Sequence, residues 1–342
     1  MTENLLEVKD LCVEFGSKKN PVRVLDHVNL HVAPGEVLGI VGESGCGKSM
    51  TSLAILRLIP QPPGRITKGT ITLNGTNLLD LSQSKMQDVR GKDIAMIFQE
   101  PMTALNPVFT IGQQIIETVR RHERVSAKQA REQAFELLKS VRIPEPERRL
   151  DQYPHELSGG MRQRAMIAMA LACRPKVLIA DEPTTALDVT VQAQIFDLLL
   201  DLRKQYNTAI ILITHNMGAV AELADRVMVM YAGRKIEDGS VERVLLNPIH
   251  PYTKGLLGCV LNVEHDADKF SETDLLPEIP GVVPPLSELG PGCAFAPRCS
   301  YVMEKCRHER PPMLGRKNWE AACWLNVETA EQEVSENEKS PV

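Results

Sequence analysis

Gly42-Glu43-Ser44-Gly45-Cys46-Gly47-Lys48-Ser49 reads G-x-x-x-x-G-K-S. Val37 to Val41 in front of it reads as a short buried strand, and Met50 to Leu58 behind it has the apolar spacing of a helix. Strand, glycine-rich loop and helix, in that order, make a P-loop. The glycines let the backbone curl with its N–H groups inward, around a phosphate, and the positive end of the helix adds favourable potential. Gly42, Ser44, Gly45, Cys46 and Gly47 form the expected cradle. Lys48 is expected to reach the β- and γ-phosphates of a nucleoside triphosphate, and the Ser49 hydroxyl to ligate Mg²⁺.

The rest of the composition narrows the class. At 342 residues the chain has room for one large domain with an appendage, or for two domains. Apolar residues make up 43%, enough for an ordinary core, and the net charge of −5 creates no basic field that would draw nucleic acid. No apolar run approaches the roughly 18 residues that span a bilayer. Met1-Thr2-Glu3-Asn4 is acidic and lacks a charged-then-apolar pattern, so no signal segment is expected there. A soluble, cytoplasmic chain is expected.

Leu5 to Val13 and Arg23 to Val32 have β-branched, partly alternating patterns and read as antiparallel strands. Thr70 to Leu73 and Thr76 to Leu78 flank Asn74-Gly75, a type I′ hairpin signal, because that turn needs positive φ at both central residues. Asp93 to Phe98 reads as a strand ending at Gln99. From Ile111 to about Ala172 the pattern is helical, with Ser126-x-x-Gln129 as a capping box and Ala130, Ala134, Leu137, Leu138 and Val141 on one face. Strands return at Lys176 to Ala180 and Thr208 to Thr214, separated by a helix with Ile195, Leu198, Leu199 and Leu202 inward. Val227 to Tyr231 and Arg234 to Glu237 read as a closing hairpin around Gly233. The expected domains are a nucleotide-binding unit at 1–246 with a helical part at about 107–172, a proline- and loop-rich extension at 247–325, and an acidic tail at 326–342 that is expected to be disordered.

Val177-Leu178-Ile179-Ala180-Asp181-Glu182 is a hydrophobic strand ending in two carboxylates. After a P-loop this is the Walker B arrangement: Asp181 is expected to hold Mg²⁺, directly or through water, and Glu182 to polarise the attacking water. In Leu157-Ser158-Gly159-Gly160-Met161-Arg162-Gln163-Arg164, a serine and two glycines open a helix and aim a hydroxyl and bare N–H groups at an anion. By itself that is an ordinary N-cap.

With both Walker elements present, this stretch resembles the signature motif of ABC-type ATPases. The resemblance implies an α/β fold: a P-loop NTPase core of ABC type, with an antiparallel β subdomain, a helical insertion and a loop-rich C-terminal extension. It also assigns Gln99 as the Q-loop glutamine that senses Mg²⁺ and water, Ala186-Leu187-Asp188 as the D-loop, and His215 as the switch histidine on the γ-phosphate. Phe15 falls where the family places an aromatic under the adenine, although a lone aromatic in a strand is more often core. Met161 and Asn216 replace the family's usual glutamine and aspartate, at positions that supply no required phosphate or metal contact. The implied mechanism sandwiches two ATP molecules between two nucleotide domains, with Ser158, Gly159 and Gly160 of one facing the P-loop of the other.

Asn247 to Leu257, Leu276 to Pro284 and Gly292 to Cys299, with Glu100 to Pro107 after the Q-loop glutamine, resemble the dipeptide, oligopeptide and nickel importer ATPase subunits. That resemblance implies a peripheral ATPase on the cytoplasmic face of a bacterial inner membrane. It pairs with a second, different ATPase subunit beneath two permeases, fed by an extracytoplasmic solute-binding protein. Peptides are the commonest substrates; nickel chelates, opines, glutathione and some sugars use the same architecture. A soluble ABC ATPase of DNA repair or translation is the alternative class, but the chain has neither a long coiled-coil insertion nor a second nucleotide domain.

The cysteines carry two further expectations. Cys46, at a helix N-terminus beside Lys48, is expected to have a lowered pKa and to react with N-ethylmaleimide, unless any small residue suits that position. Cys293, Cys299, Cys306 and Cys323 are spaced C-x5-C-x6-C-x16-C in a segment too poor in apolar residues to order itself. Structural zinc sites usually use C-x2–4-C pairs, which are absent, whereas wider loops suit an iron–sulfur cluster. The family resemblance also points to a [4Fe–4S] cluster; zinc and unliganded buried thiols are the alternatives.

Overall fold

The computed structural model describes residues 4–100, 104–184, 187–259, 278–316 and 319–326. Strands β1 (Leu6–Gly16) and β2 (Pro21–Val32) pair antiparallel, and β1 also pairs with β4 (Arg65–Leu73). The two-residue β5 (Thr76–Asn77) completes a four-stranded sheet in the order β2-β1-β4-β5. Asn74 and Gly75 sit at φ 47° and 77°, the two positive values that a type I′ turn demands. β5 is shorter than expected because the Asn77 side chain accepts from Leu79 N–H and starts a 3₁₀ turn there.

The second sheet has the order β11-β12-β10-β9-β3-β8-β7-β6. Its parallel centre is β3 (Val37–Val41), β6 (Ile94–Ile97), β7 (Val177–Asp181), β8 (Ala209–Ile213) and β9 (Arg226–Tyr231). Every residue of β3, β7 and β8 is buried, because both faces of this sheet are covered. Val37 and Val41 face one apolar cluster with Ile111, Ala130, Leu138 and Ile167 of the helical insertion. Leu38 and Ile40 face the other, with Leu6, Leu11 and Val28 of the antiparallel sheet. The parallel sheet is thus a wall between two cores, and the alternation of side chains along each strand feeds both.

The helical insertion comprises Ile111–His122, Ala127–Ser140, Pro146–Leu150 and Gly159–Ala170. The Ser126–Gln129 capping box forms as expected, and a second forms at Thr110–Gln113. Ala130, Ala134, Leu138 and Val141 are buried and Leu137 is half-buried. No described helix is long and apolar enough to cross a membrane.

Beyond residue 246 the chain holds more regular structure than its prolines suggest. His250 caps the helix Pro251–Gly258, its Nδ1 accepting from Tyr252 N–H at 3.1 Å. The short strands β11 (Leu314–Arg316) and β12 (Trp319–Ala321) form a hairpin, and β12 pairs with β10 (Arg234–Ser240). The hairpin β9–β10 therefore does not close the sheet; two strands from the extension continue it. Residues 101–103, Ala186, Leu276, Pro277 and the acidic tail from 327 onward lie outside the described residues.

Candidate functional site

Four of the expected site segments leave the C-terminal ends of parallel strands, where ligands bind in open α/β sheets. The P-loop follows β3, Gln99 follows β6, Asp181 and Glu182 end β7, and His215 follows β8. Gly42 has φ 149°, and a Cβ there would collide with the Met230 carbonyl, so only glycine fits where the loop leaves its strand. The helix Lys48–Ile55 begins directly after Gly47.

Lys48 is buried, and its Nζ donates to the carbonyls of Gly42 at 2.7 Å and Glu43 at 3.0 Å. The Ser49 hydroxyl donates to Asp181 Oδ1 at 3.1 Å, so two of the three residues assigned to Mg²⁺ share one location, while the third, Gln99, bonds Glu182. Burial raises the Asp181 carboxyl above its ordinary range, and the neighbouring Glu182 adds to this. Such a group is an oxygen donor that a cation would stabilise in its charged form. The donor set of one hydroxyl and one buried carboxylate, beside phosphates, is the set that Mg²⁺ prefers.

Glu182 sits at φ 47°, a strained conformation for a residue with a Cβ. It turns the carboxylate away from the strand, where Gln99 Nε2 donates to Oε2 at 2.9 Å and His215 Nδ1 lies 3.3 Å from Oε1. Three residues separated by 83 and 33 positions thus meet at one carboxylate. They can hold and orient a water at Glu182, which is general-base geometry.

Ser158 caps Gly159–Ala170, its Oγ accepting from Met161 N–H at 3.4 Å. Ser158 and Gly159 are exposed, and a Cβ on Gly159 would meet nothing within 4 Å. This helix start is open to another molecule. Asp188 caps Val189–Tyr206 through Val191 N–H at 2.9 Å. Phe15 lies half-buried near the end of β1, where a Cβ on Gly64 would come within 2.9 Å of its ring. One coupling escaped the sequence reading: Gln163, buried on the signature helix, donates to the carbonyl of Pro183 next to Glu182. A polar residue on the inward face of a helix was the available signal.

Cys46 corrects an expectation. It is 2% exposed, and burial pushes its thiol up, against the opposing influence of Lys48. Low dielectric defeats the helix terminus here, so Cys46 is a packed small residue of the P-loop rather than a reactive thiolate.

The extension reaches the same site, which no motif announced. Glu43 N–H donates to the Tyr252 hydroxyl at 2.8 Å, and Arg298 forks onto the Glu43 carboxylate at 2.8 and 3.0 Å. Next to Arg298, the four clustered cysteines line one small cavity with Phe295, Met303 and Trp324. The backbone beside Phe295, Tyr301 and Leu325 acts to lower the thiols of Cys293, Cys299 and Cys323, while Ala296 N–H and Asn326 N–H donate to the Cys293 and Cys323 carbonyls at 3.0 and 3.1 Å. Burial outweighs this and pushes the Cys323 thiol up to about 11. Among the described residues, no three of these sulfurs lie within 4.8 Å of one another. Four thiolates around a single ion at about 2.3 Å would stand closer than that.

Two other places offer less. Cys12, Asp26 and His27 present ligand atoms within 4.8 Å of one another, but Asp26 is already held by Arg23, Arg234 and Arg310. A cavity of about 690 Å³ lies at the far end of β3, around Glu36, and its arginines Arg203 and Arg226 are each paired with carboxylates.

Fold and site together define an ATP-binding cassette ATPase. A family described as ABC transporter matches residues 25–185, and one described as oligopeptide/dipeptide transporter, C-terminal region, matches residues 236–306. The chain is 53% identical to a probable peptide ABC transporter ATP-binding protein of Sinorhizobium fredii, over 95% of this chain and 96% of that one. It is 52% identical to the oligopeptide transport ATP-binding protein OppD of Bacillus subtilis, over 91% and 85% of the two chains. It is 50% identical to the dipeptide transport ATP-binding protein DppD of Haemophilus influenzae, over 90% and 92%. Among solved structures, a dimeric ATP-binding cassette in a post-hydrolysis state, bound to ADP and Pi, superposes with a TM-score of 0.63 at 27% identity, covering 69% of this chain and 98% of that one. The chain belongs to the ATP-binding subunits of the dipeptide/oligopeptide class of ABC transporters.

Proposed function

We propose that this subunit hydrolyses ATP to drive import of di- or oligopeptides through a membrane permease. The observation that carries the reading is the convergence of Lys48, Ser49, Asp181, Glu182, Gln99 and His215 at the ends of four parallel strands. The P-loop would hold ATP with Lys48 at its terminal phosphates, and Ser49, Asp181 and Gln99 would hold the Mg²⁺ that offsets their charge. Glu182, oriented by His215, takes a proton from the attacking water. Phe15 faces the adenine. The exposed Ser158–Gly159–Gly160 helix start, with Asp188 nearby, closes the site of a second ATPase subunit, which the heteromeric arrangement supplies. Two permeases and an extracytoplasmic binding protein complete the machine, with this chain peripheral on the cytoplasmic face of the membrane. The solute itself is read by those other chains, so the peptide assignment follows the family of the relatives.

The units proposed are a nucleotide-binding domain at 1–246 and an extension at 247–325. The four cysteines lining one cavity support a structural [4Fe–4S] cluster there, with Cys293, Cys299, Cys306 and Cys323 as its ligands. The functional test compares the lone chain with the complex of two ATPase and two permease subunits in liposomes. Expected are weak ATPase activity alone and peptide uptake by the complex. Equal specific ATPase activity in both would reject the shared site, and uptake of nickel chelates but not peptides would reject the substrate.

A further inference from the structure

Arg298 lies 255 positions after Glu43, yet its side chain is only 4% exposed where the two meet. All five of its N–H groups are used. Nε donates to Pro280 O at 2.8 Å; Nη1 donates to Glu43 Oε2 at 2.8 Å and the Tyr231 hydroxyl at 3.4 Å. Nη2 donates to Glu43 Oε1 at 3.0 Å and Ile279 O at 3.1 Å. The guanidinium also lies 5.9 Å from the centres of the Tyr231 and Phe295 rings.

Glu43 is consequently anchored on three sides. Arg298 grips its carboxylate, the Tyr252 hydroxyl accepts from its N–H, and its carbonyl accepts from Lys48 Nζ. With the Gly42 carbonyl at 2.7 Å, the last of these is one of two carbonyls that hold the P-loop lysine. Glu43 is also the one acidic residue of the Gly42–Ser49 loop. An unbalanced carboxylate there would repel a triphosphate through a low-dielectric path.

We infer that Arg298 is a positioning residue for ATP binding, acting through Glu43: the C-terminal extension balances the loop's carboxylate and holds the first turn of the phosphate cradle in shape. This inference rests on the P-loop reading. It differs from a purely stabilising contact, which would tie the extension to the core without altering nucleotide affinity.

The test is titration of the full-length chain with a fluorescent ATP analogue and Mg²⁺, with thermal melting of every variant alongside. Arg298→Ala is expected to weaken binding about tenfold, and Arg298→Lys less, since an ammonium keeps the charge but loses the fork. Placed in a Glu43→Gln background, either substitution is expected to cost under about twofold, because the carboxylate it balanced has gone. Unchanged affinity in the Arg298 variants, or the same loss in both backgrounds, would overturn the inference. If Arg298→Ala does not fold, Arg298→Lys with and without Glu43→Gln gives the same decision. Lys48→Ala separates the two levels. Normal binding by that variant would reject the P-loop reading, whereas loss there with intact binding in Arg298→Ala would reject this inference alone.

Discussion

At the scale of single residues, the site depends on a few side chains in unusual states. Glu182 keeps a positive φ and a carboxylate shared between Gln99 and His215. Glu182→Gln preserves that shape and removes the base, so ATP binding should persist while hydrolysis in the transporter complex falls by at least about 100-fold. Binding titration and single-turnover hydrolysis check this, and full turnover would remove Glu182 from the mechanism. His250 offers a different measurement. Burial pushes its imidazole from the ordinary 6.5 down to about 3, so the folded chain keeps it neutral and uses Nδ1 as a helix cap. The unfolded chain takes up a proton between these values that the folded chain refuses. Its contribution is complete above about pH 6.5 and is lost as the pH falls toward 3, at up to about 1.4 kcal/mol per pH unit. In urea melts from pH 7 to pH 4, His250→Asn, which can still cap, should show a shallower acid decline than the parent. Parallel declines would mean that His250 charges freely in the fold.

At the scale of elements, the sequence exposed what local chemistry determines. The P-loop turn, the Asn74-Gly75 hairpin, the Ser126 capping box and the positions of the five central strands were legible, because each is specified by residues within a few positions; the parallel order of those strands was not. The residues beside the nucleotide loop were legible only in part. Nothing near Glu43 in the chain indicates Arg298 or Tyr252, and no pattern around Gln163 names Pro183. Those contacts come from long-range packing. The choice between the two readings of Cys46 had the same origin: the helix end and the lysine were visible, but the burial that favours a packed small residue was not. Likewise β11 and β12 are too short to show a period, and their partner β10 supplies most of the reason for their existence. Glu237 belongs to this scale. It is fully buried in β10, where its carboxylate accepts from Ile249 N–H, His250 N–H and the Trp319 indole at 2.8, 3.0 and 3.2 Å. It joins strand, helix start and hairpin. Glu237→Ala would leave one buried and two part-buried donors without the carboxylate and should lower unfolding free energy by about 2 kcal/mol or more, with Glu237→Gln losing less. Equal stability of both variants in denaturant melts would show that water replaces the carboxylate.

At the scale of the whole molecule, one parallel sheet carries the nucleotide site on its strand ends, the helical insertion on one face and the antiparallel sheet on the other. The extension closes the remaining flank, and the proposed cluster gives that loop-rich region its internal staple. Anaerobic purification of the full chain should therefore yield a brown protein absorbing broadly near roughly 400 nm, with about four iron atoms per chain. A colourless preparation with one zinc would overturn the iron assignment, and a metal-free one would overturn both. The β12–β10 pairing has a further consequence, and it concerns biosynthesis. Gly239 in β10 admits Trp319 so closely that a Cβ there would sit 2.6 Å from the indole, so this edge is shaped for a strand made some eighty residues later. As the polypeptide leaves the ribosome, β10 emerges with one row of backbone N–H and C=O groups unmatched, and the strand that matches them is translated only near the end. During that interval the nascent sheet has an open edge on which neighbouring chains could pair. Nonsense mutations just before residue 314 would make the interval permanent: the whole nucleotide-binding core would be synthesised, and it would still present an adhesive border to the cell.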